Sequence, residues 1–268
     1  MFMARTAGKV AAAQTGSLAG QVAVVTGSGG AMGGAIAERL AAAGAHIVLN
    51  DRVADRVDVH RAAVEAHGVE AVSVTASTSR PEGARTVIAA ALDTWGRLDI
   101  LVNTVGGIKG PIKVPVWDIT DEQWNGTLAV SLTATFLCTR EAARVMIGQR
   151  SGKIVNIAST SWAPPDSAMH PHYAAAKAGV VAFTRAVALQ LAPYDVNVNA
   201  VAPGATRRSA AVVVDDGGGG GGAEPLPPLG RINDPADIAG AVAYLVSPDA
   251  RNVSGQLITV AGSLNPAL

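Results

Sequence analysis

Cysteine is almost absent from this chain. The single Cys138 cannot form an internal disulfide, and its place in an apolar helical run predicts a packed, reduced thiol. Charge is also scarce. Only 16% of residues are Asp, Glu, Lys or Arg, and the formal net charge is +0, which removes the electrostatic case for binding nucleic acid or an anionic membrane. No uninterrupted apolar run reaches the ~18 residues of a membrane span. The first residues carry positive charge without an apolar signal core behind them, so a soluble, cytoplasmic protein is expected. No group of His, Cys and acidic residues has metal-ligand spacing. What remains is core material: 49% of the 268 residues are hydrophobic, enough for one large domain and inconsistent with disorder.

Residues 1–17 are small and polar without periodicity and read as a flexible tail, which leaves 18–268 as the folded domain. A first strand, Gln21–Thr26, runs into Gly27-Ser28-Gly29-Gly30-Ala31-Met32-Gly33-Gly34, and a helix follows from Ala35 to Ala43. A glycine-rich turn between strand and helix lets backbone approach a phosphate, whose charge the amides and dipole of the helix start then bind. The literal G-x-G-x-x-G spacing is missed by one residue, and no Lys-Ser or Lys-Thr follows the last Gly as a nucleotide-hydrolase loop needs. The second strand, His46–Asn50, ends at Asp51, eighteen residues beyond Gly33. A carboxylate there can accept hydrogen bonds from an adenosine ribose and repels a 2′-phosphate.

Strands then read at Ala71–Thr75, Ile100–Asn103, Lys153–Ala158, Val196–Val201 and Leu257–Val260. Helices read at Pro81–Trp95, Asp121–Ile147, Pro171–Ala192 and Pro235–Val246. Such alternation means an α/β fold: a Rossmann-type, doubly wound parallel sheet of about seven strands with helices on both faces. In Tyr173-Ala-Ala-Ala-Lys177, residues four apart share one helix face, so phenol and amine point into one pocket. An ammonium near a tyrosine favours the phenolate, which makes the pair a proton-transfer device.

Together, Thr26-Gly27 with Gly33, Asp99, Asn103 and Gly106, Ser159 fourteen residues before Tyr173, Tyr173 with Lys177, Pro203-Gly204, and Pro228-Leu-Gly-Arg231 ahead of Pro235-Ala-Asp-Ile238 resemble the short-chain dehydrogenase/reductase family. The resemblance covers roughly Leu18 to Ser263 and the branch about 250 residues long. It implies an NAD(P)-dependent oxidoreductase moving hydride between nicotinamide and a secondary alcohol or ketone. Tyr173 would exchange the proton, Lys177 would lower the tyrosine pKa and bind the nicotinamide ribose, and Ser159 would polarise the substrate oxygen. Ser131 stands where the family has the Asn that supports a proton-relay water. Cofactor contacts would fall to Gly27, Ser28, Gly30, Met32 and Gly33, to Asp51 and Arg52, to Ser77 and Thr78, and to Asn103, Val105 and Gly106. Tyr173, Lys177, Pro203, Gly204 and Thr206 would complete them. Asp51 favours NAD(H), with NADP(H) as the alternative.

Substrate would be lined by Ile108, Thr160, Trp162, His172 and Arg208, with a glycine-rich lid at about 207–229 containing Gly217–Gly222. A 3-oxoacyl thioester reductase and a dehydrogenase of cyclic or diol alcohols both fit this pattern. A different class also fits, a cofactor-binding assembly subunit with weakened catalysis. It is suggested by Ser131 and by Ser77 in place of an Asp; Ala31, Thr104, Val105, Arg208 and Ala261 also depart from the family pattern. The family's habit implies a homodimer or homotetramer through the helices near residues 121–147 and 171–192. The partner is then a small-molecule alcohol or carbonyl compound, with no nucleic acid and no membrane.

Overall fold

The computed structural model describes residues 16–163, 170–207 and 227–263. Seven parallel strands form one sheet in the order β3-β2-β1-β4-β5-β6-β7. They are β1 (Val22–Thr26), β2 (His46–Asp51), β3 (Ala71–Thr75), β4 (Ile100–Asn103), β5 (Gly152–Ile157), β6 (Val196–Pro203) and β7 (Leu257–Val260). The residues of β1, β4 and β6 are buried without exception. That is why these segments read as continuous apolar runs rather than as alternating ones. Helix α1 (Ala31–Ala42) packs with α8 (Pro235–Val246) on one face of the sheet, around Ile36, Leu40, Ile47 and Val242. Helix α4 (Pro81–Trp95) covers the other face with α6 (Ala134–Gln149) and α7 (Pro171–Leu191), around Val24, Val87, Leu101 and Met146. The chain leaves β1 toward β2 and returns across it to β4. The strand order therefore reverses between β1 and β4, and a crevice opens there beyond the C-terminal strand ends.

Asp99 locks this centre together. One oxygen accepts the Val22 amide at 2.8 Å, and the carboxylate takes both arms of Arg97 at 2.8 Å each. The expected strands stand within about two residues of their observed limits. The helices differ in instructive places. Helix α1 starts at Ala31 rather than Ala35, because Gly33 and Gly34 are buried helical residues and not loop. The short helices α2 (Ala54–Val57) and α3 (Arg61–Glu65) were not anticipated; each is about one turn, below the length at which periodicity shows. The long helix expected over 121–147 is divided. Helix α5 (Asp121–Leu128) opens on a capping box between Thr120 and Gln123, and a π turn at Ala129–Thr133 joins it to α6. π turns of this kind are frequent at functional sites, and this one carries Ser131.

Helix α7, continued to Tyr194, is 24 residues long and apolar enough by length and composition to cross a membrane. Half of that window is buried inside the protein, as in a core helix. The expected tail falls outside the described residues up to position 15, and Leu18 is already buried, its amide bonded to the Ala43 carbonyl at 2.9 Å. Arg208 and Gly217–Gly222 also lie outside the described residues.

Candidate active site

The crevice is a cleft of about 520 Å³ running from the end of β2, across the glycine turn, to the start of α7. Its floor at β1 depends on a close turn. A Cβ on Gly33 would stand 2.3 Å from the Gly27 carbonyl oxygen, so only glycine lets α1 begin this near the strand. Thr26 fastens the facing loop, its hydroxyl donating to the Val102 carbonyl and accepting the Thr104 amide at 3.1 Å. At the far end Asp51 is buried, and its Oδ1 accepts the Val53 amide at 3.1 Å.

At the other end Ser159, Tyr173 and Lys177 line the same wall. Ser159 follows β5 and caps a 3₁₀ turn by accepting the Ser161 amide at 3.2 Å. Tyr173 and Lys177 sit in the first turns of α7, with Lys177 Nζ 5.6 Å from the centroid of the Tyr173 ring. Lys177 is 2% exposed and donates to the Ile157 carbonyl at 2.7 Å. Burial pushes its amine down to about 8. Burial also holds the Tyr173 phenol above its ordinary value, with a hydrogen bond from Ser159 pulling the other way. The expectation that the ammonium draws Tyr173 downward is therefore not met in this arrangement. Desolvation sets the direction, and the lysine's amine donates to a backbone carbonyl instead.

Gly106 closes the site from above. A Cβ there would stand 2.9 Å from Lys177 Nζ and 3.5 Å from Ser131 Oγ, so a side chain would displace the amine. Ser131 differs from its expected role. Its hydroxyl accepts the Gly107 amide at 3.1 Å and donates to the Gly107 carbonyl at 3.0 Å. A hydroxyl has one proton to give, and here the backbone strap over Lys177 takes it. Losing this reciprocal pair should cost about 1 kcal/mol of strap order. Ser131→Ala is accordingly expected to raise the NADH dissociation constant about fivefold while kcat changes less. Titration of the cofactor by fluorescence checks this; an unchanged dissociation constant would leave the strap independent of Ser131.

Of the residues expected at the cofactor, Gly27, Gly30, Met32, Gly33, Asp51, Arg52, Ser77, Thr78, Val105, Gly106, Tyr173, Lys177, Pro203, Gly204 and Thr206 line the cleft. Ser28 does not, because it is fully buried with its hydroxyl on the Asn50 carbonyl at 3.3 Å. Asn103 does not either. It lies under the floor, donating to Thr139 at 3.0 Å and to Asn156 at 2.8 Å. Among the expected substrate residues Ile108 lines the cleft and three do not. Thr160 is buried beneath Gly204, Trp162 packs against the cluster of Ala158, Val180, Val181 and Ala202, and His172 is buried beside the backbone of Lys109. Packing against segments distant in sequence, invisible in one sequence, turns these side chains away. Arg207, at the root of the expected lid, also lines the cleft, and lining residues that sequence reasoning missed include Asn50, Arg56, Lys109 and Val130. Only Asn50, next to Asp51, had a signal in strand position.

Among the described residues no group of three or more His, Cys, Asp or Glu could hold a metal ion. Cys138 is buried, and desolvation pushes its thiol up to about 12, which makes it inert as a nucleophile. A glycine cradle at a helix start, a carboxylate at the end of β2 and a Ser-Tyr-Lys wall fit a nicotinamide dinucleotide, and such a fold and cleft define an NAD(P)-linked oxidoreductase. Comparison with known proteins narrows the class. A family model described as enoyl-(acyl carrier protein) reductase matches residues 27–265. The chain is 35% identical over 255 residues to a 3-oxoacyl-acyl-carrier-protein reductase of Synechocystis, spanning 92% of this chain and 98% of that one. It is 32% identical over 247 residues to rabbit (Oryctolagus cuniculus) dehydrogenase/reductase SDR family member 4, spanning 91% and 94%. The crystal structure of NAD+-bound xylitol dehydrogenase superposes with a TM-score of 0.81 at 29% identity, covering 92% of this chain and 99% of that one. The protein belongs to the short-chain dehydrogenase/reductase family.

Proposed function

We propose that this oxidoreductase reduces the carbonyl of a small molecule to a secondary alcohol with NADH, using Tyr173 as proton donor. The observation that carries the reading is the convergence of Ser159, Tyr173 and Lys177 on one end of a cleft whose other end holds Asp51. A nicotinamide, when bound, supplies the hydride. The chain's own residues do the rest. Tyr173, which carries its proton at neutral pH as an ordinary phenol does, gives that proton to the substrate oxygen. Ser159 holds that oxygen in place as charge develops on it. Lys177 is fixed by Ile157 so that its amine faces the nicotinamide end of the cleft and can return a proton toward Tyr173. The glycine turn at Gly27–Gly33 would bind the pyrophosphate, and Asp51 the adenosine ribose.

Relatives bearing the names of a 3-oxoacyl-acyl-carrier-protein reductase and a xylitol dehydrogenase support two substrate classes, 3-oxoacyl thioesters and polyols. Turnover of NADH and NADPH against a panel of both classes tests the proposal, and absence of turnover with every carbonyl would favour the cofactor-binding subunit instead. The same reading places the protein in the cytoplasm as a homodimer or homotetramer. The α6–α7 face supports it, with Phe136 and Phe183 edge to face at 6.2 Å and Leu189 80% exposed.

Asp51 tests cofactor choice. Asp51→Ser removes the charge that repels a 2′-phosphate and the acceptor that binds a ribose hydroxyl. The ratio of kcat/KM for NADH over NADPH is expected to fall at least ~10-fold in the variant, about 1.4 kcal/mol. An unchanged ratio would remove Asp51 from cofactor selection.

A further inference from the structure

Charge is balanced over the whole chain, with 21 cationic and 21 acidic residues, but not in the cleft. Among the described residues Asp51 is the one carboxylate that lines it, against Arg52, Arg56, Lys109, Lys177 and Arg207. A lining of one sign focuses the field and concentrates the opposite charge. Arg56 meets Asp51 over Gly29 at the adenosine end, with Arg52 beside them, and Lys177 belongs to the reacting wall. Lys109 and Arg207 remain. Sheet order places these two: β4, β5 and β6 lie side by side, and Ser159 follows the middle strand. Lys109 stands six residues past the end of β4 (109 − 103), and Arg207 four past the end of β6 (207 − 203). The serine that orients the carbonyl therefore has a cation on the connection to either side of it.

Both cations are fixed at the backbone and loosely held at the charge. The Lys109 amide donates to the Thr127 hydroxyl at 3.0 Å, and its stem lies along Gly126, where a Cβ would stand 3.1 Å from Cγ. Its ammonium has no ion pair or hydrogen bond among the described residues. The Arg207 amide donates to the Asn233 carbonyl at 2.8 Å. Its guanidinium meets Asp234 at 3.4 Å, but the two side chains are 65% and 54% exposed, so solvent screens the pair. Asp234 is also engaged in capping α8. Neither cation has a part in the proton transfer described above.

We infer that the substrate carries an anionic group, a carboxylate or a phosphate, besides its carbonyl, and that Lys109 and Arg207 are the specificity-determining residues that hold it. The inference rests on the carbonyl-reductase reading given above and narrows its substrate class. A neutral polyol offers these two side chains nothing to balance; an acid or a phosphorylated thioester does. Arg207 exchanges a screened carboxylate for the substrate's anion, and Lys109 acquires a charged partner. With one end of the substrate held, its carbonyl is confined to the wall of Ser159 and Tyr173.

The test follows NADH oxidation by the full chain with two matched pairs of carbonyl compounds. Acetoacetyl-pantetheine 4′-phosphate and acetoacetyl-pantetheine differ in a phosphate, and acetoacetate and its methyl ester differ in a carboxylate charge. Wild type is expected to show kcat/KM at least ~10-fold higher for the anionic member of one pair, and that pair identifies the anion as phosphate or carboxylate. In the double variant Lys109→Gln/Arg207→Gln the preference is expected to shrink to within about twofold, by loss on the anionic member alone, with NADH binding unchanged. The inference is overturned if wild type takes both members of each pair equally well, or if the double variant loses both members alike. It is also overturned if the loss appears in the NADH dissociation constant, which would give the two cations to the cofactor. Each of these results leaves the carbonyl-reductase reading standing. A wild-type protein that reduces none of the four compounds overturns the inference as well, and oxidation of xylitol with NAD+ then decides whether the oxidoreductase reading falls with it.

Discussion

Tyr173→Phe should lower turnover at least ~100-fold, the scale of a positioned general acid, and leave NADH binding unchanged. The ring keeps its packing in the first turn of α7, including its edge-to-face contact with His170 at 6.2 Å, so only the hydroxyl is lost. The phenol is pushed above its ordinary value by burial, and Ser159 is the partner that pulls against that burial. Removing it leaves Ser159 able to orient a carbonyl and nothing placed to protonate it. Stopped-flow reduction with saturating NADH separates the chemical step from binding. A Phe variant with near-normal turnover would remove Tyr173 from the chemistry and leave the cleft as a binding site only.

Lys177→Met should abolish most turnover and yet stabilise the protein at neutral pH. The amine titrates at about 8 in the fold against an ordinary 10.5, so between those values the unfolded chain binds more protons than the folded one. Stability therefore rises with pH across this window. The penalty for burying the ammonium is present in full below about 8, shrinks between about 8 and 10.5, and is gone above 10.5. A shift of this size corresponds to about 3 kcal/mol at pH 7. The Ile157 carbonyl, left without its donor, takes back ~1 kcal/mol or more. Urea unfolding at pH 7 and pH 10 is expected to show the Met variant ahead by ~1–2 kcal/mol at the lower pH, with the gap closing at the higher. A variant less stable by the same margin at both would show that the buried amine carries no such penalty. Carrying this strain is consistent with a group retained for chemistry rather than for folding.

Lys177 also shows how far local reading extends. The spacing of Tyr173 and Lys177 placed both on one face of α7, because helical periodicity is a property of neighbouring residues. The direction of the tyrosine's shift was not local. It depends on how completely the sheet, the Gly106 strap and α7 exclude water, which is a property of segments far apart in sequence.

The same division runs through the rest of the molecule. Apolar strand runs in alternation with helical patterns determined the α/β class, the parallel sheet and nearly every long element, since each long helix repeats its pattern over ten residues or more and each strand is a short, mostly apolar run. The glycine turn and Asp51 marked the middle and one end of the cleft because turn and strand-end chemistry is written in adjacent residues. Tertiary structure alone decided which polar groups face the cleft and which are spent inside the protein. Asn103 and Ser28 were turned inward by partners such as Asn156, fifty-three positions along the chain, and the Asn50 carbonyl. Ser131 was bound to Gly107 across the π turn. Arg56 reached the glycine turn from a one-turn helix too short to leave a periodic trace. A sequence sets which groups a segment can present; where their hydrogen bonds go is decided by whichever distant donor or acceptor the fold brings within 3 Å.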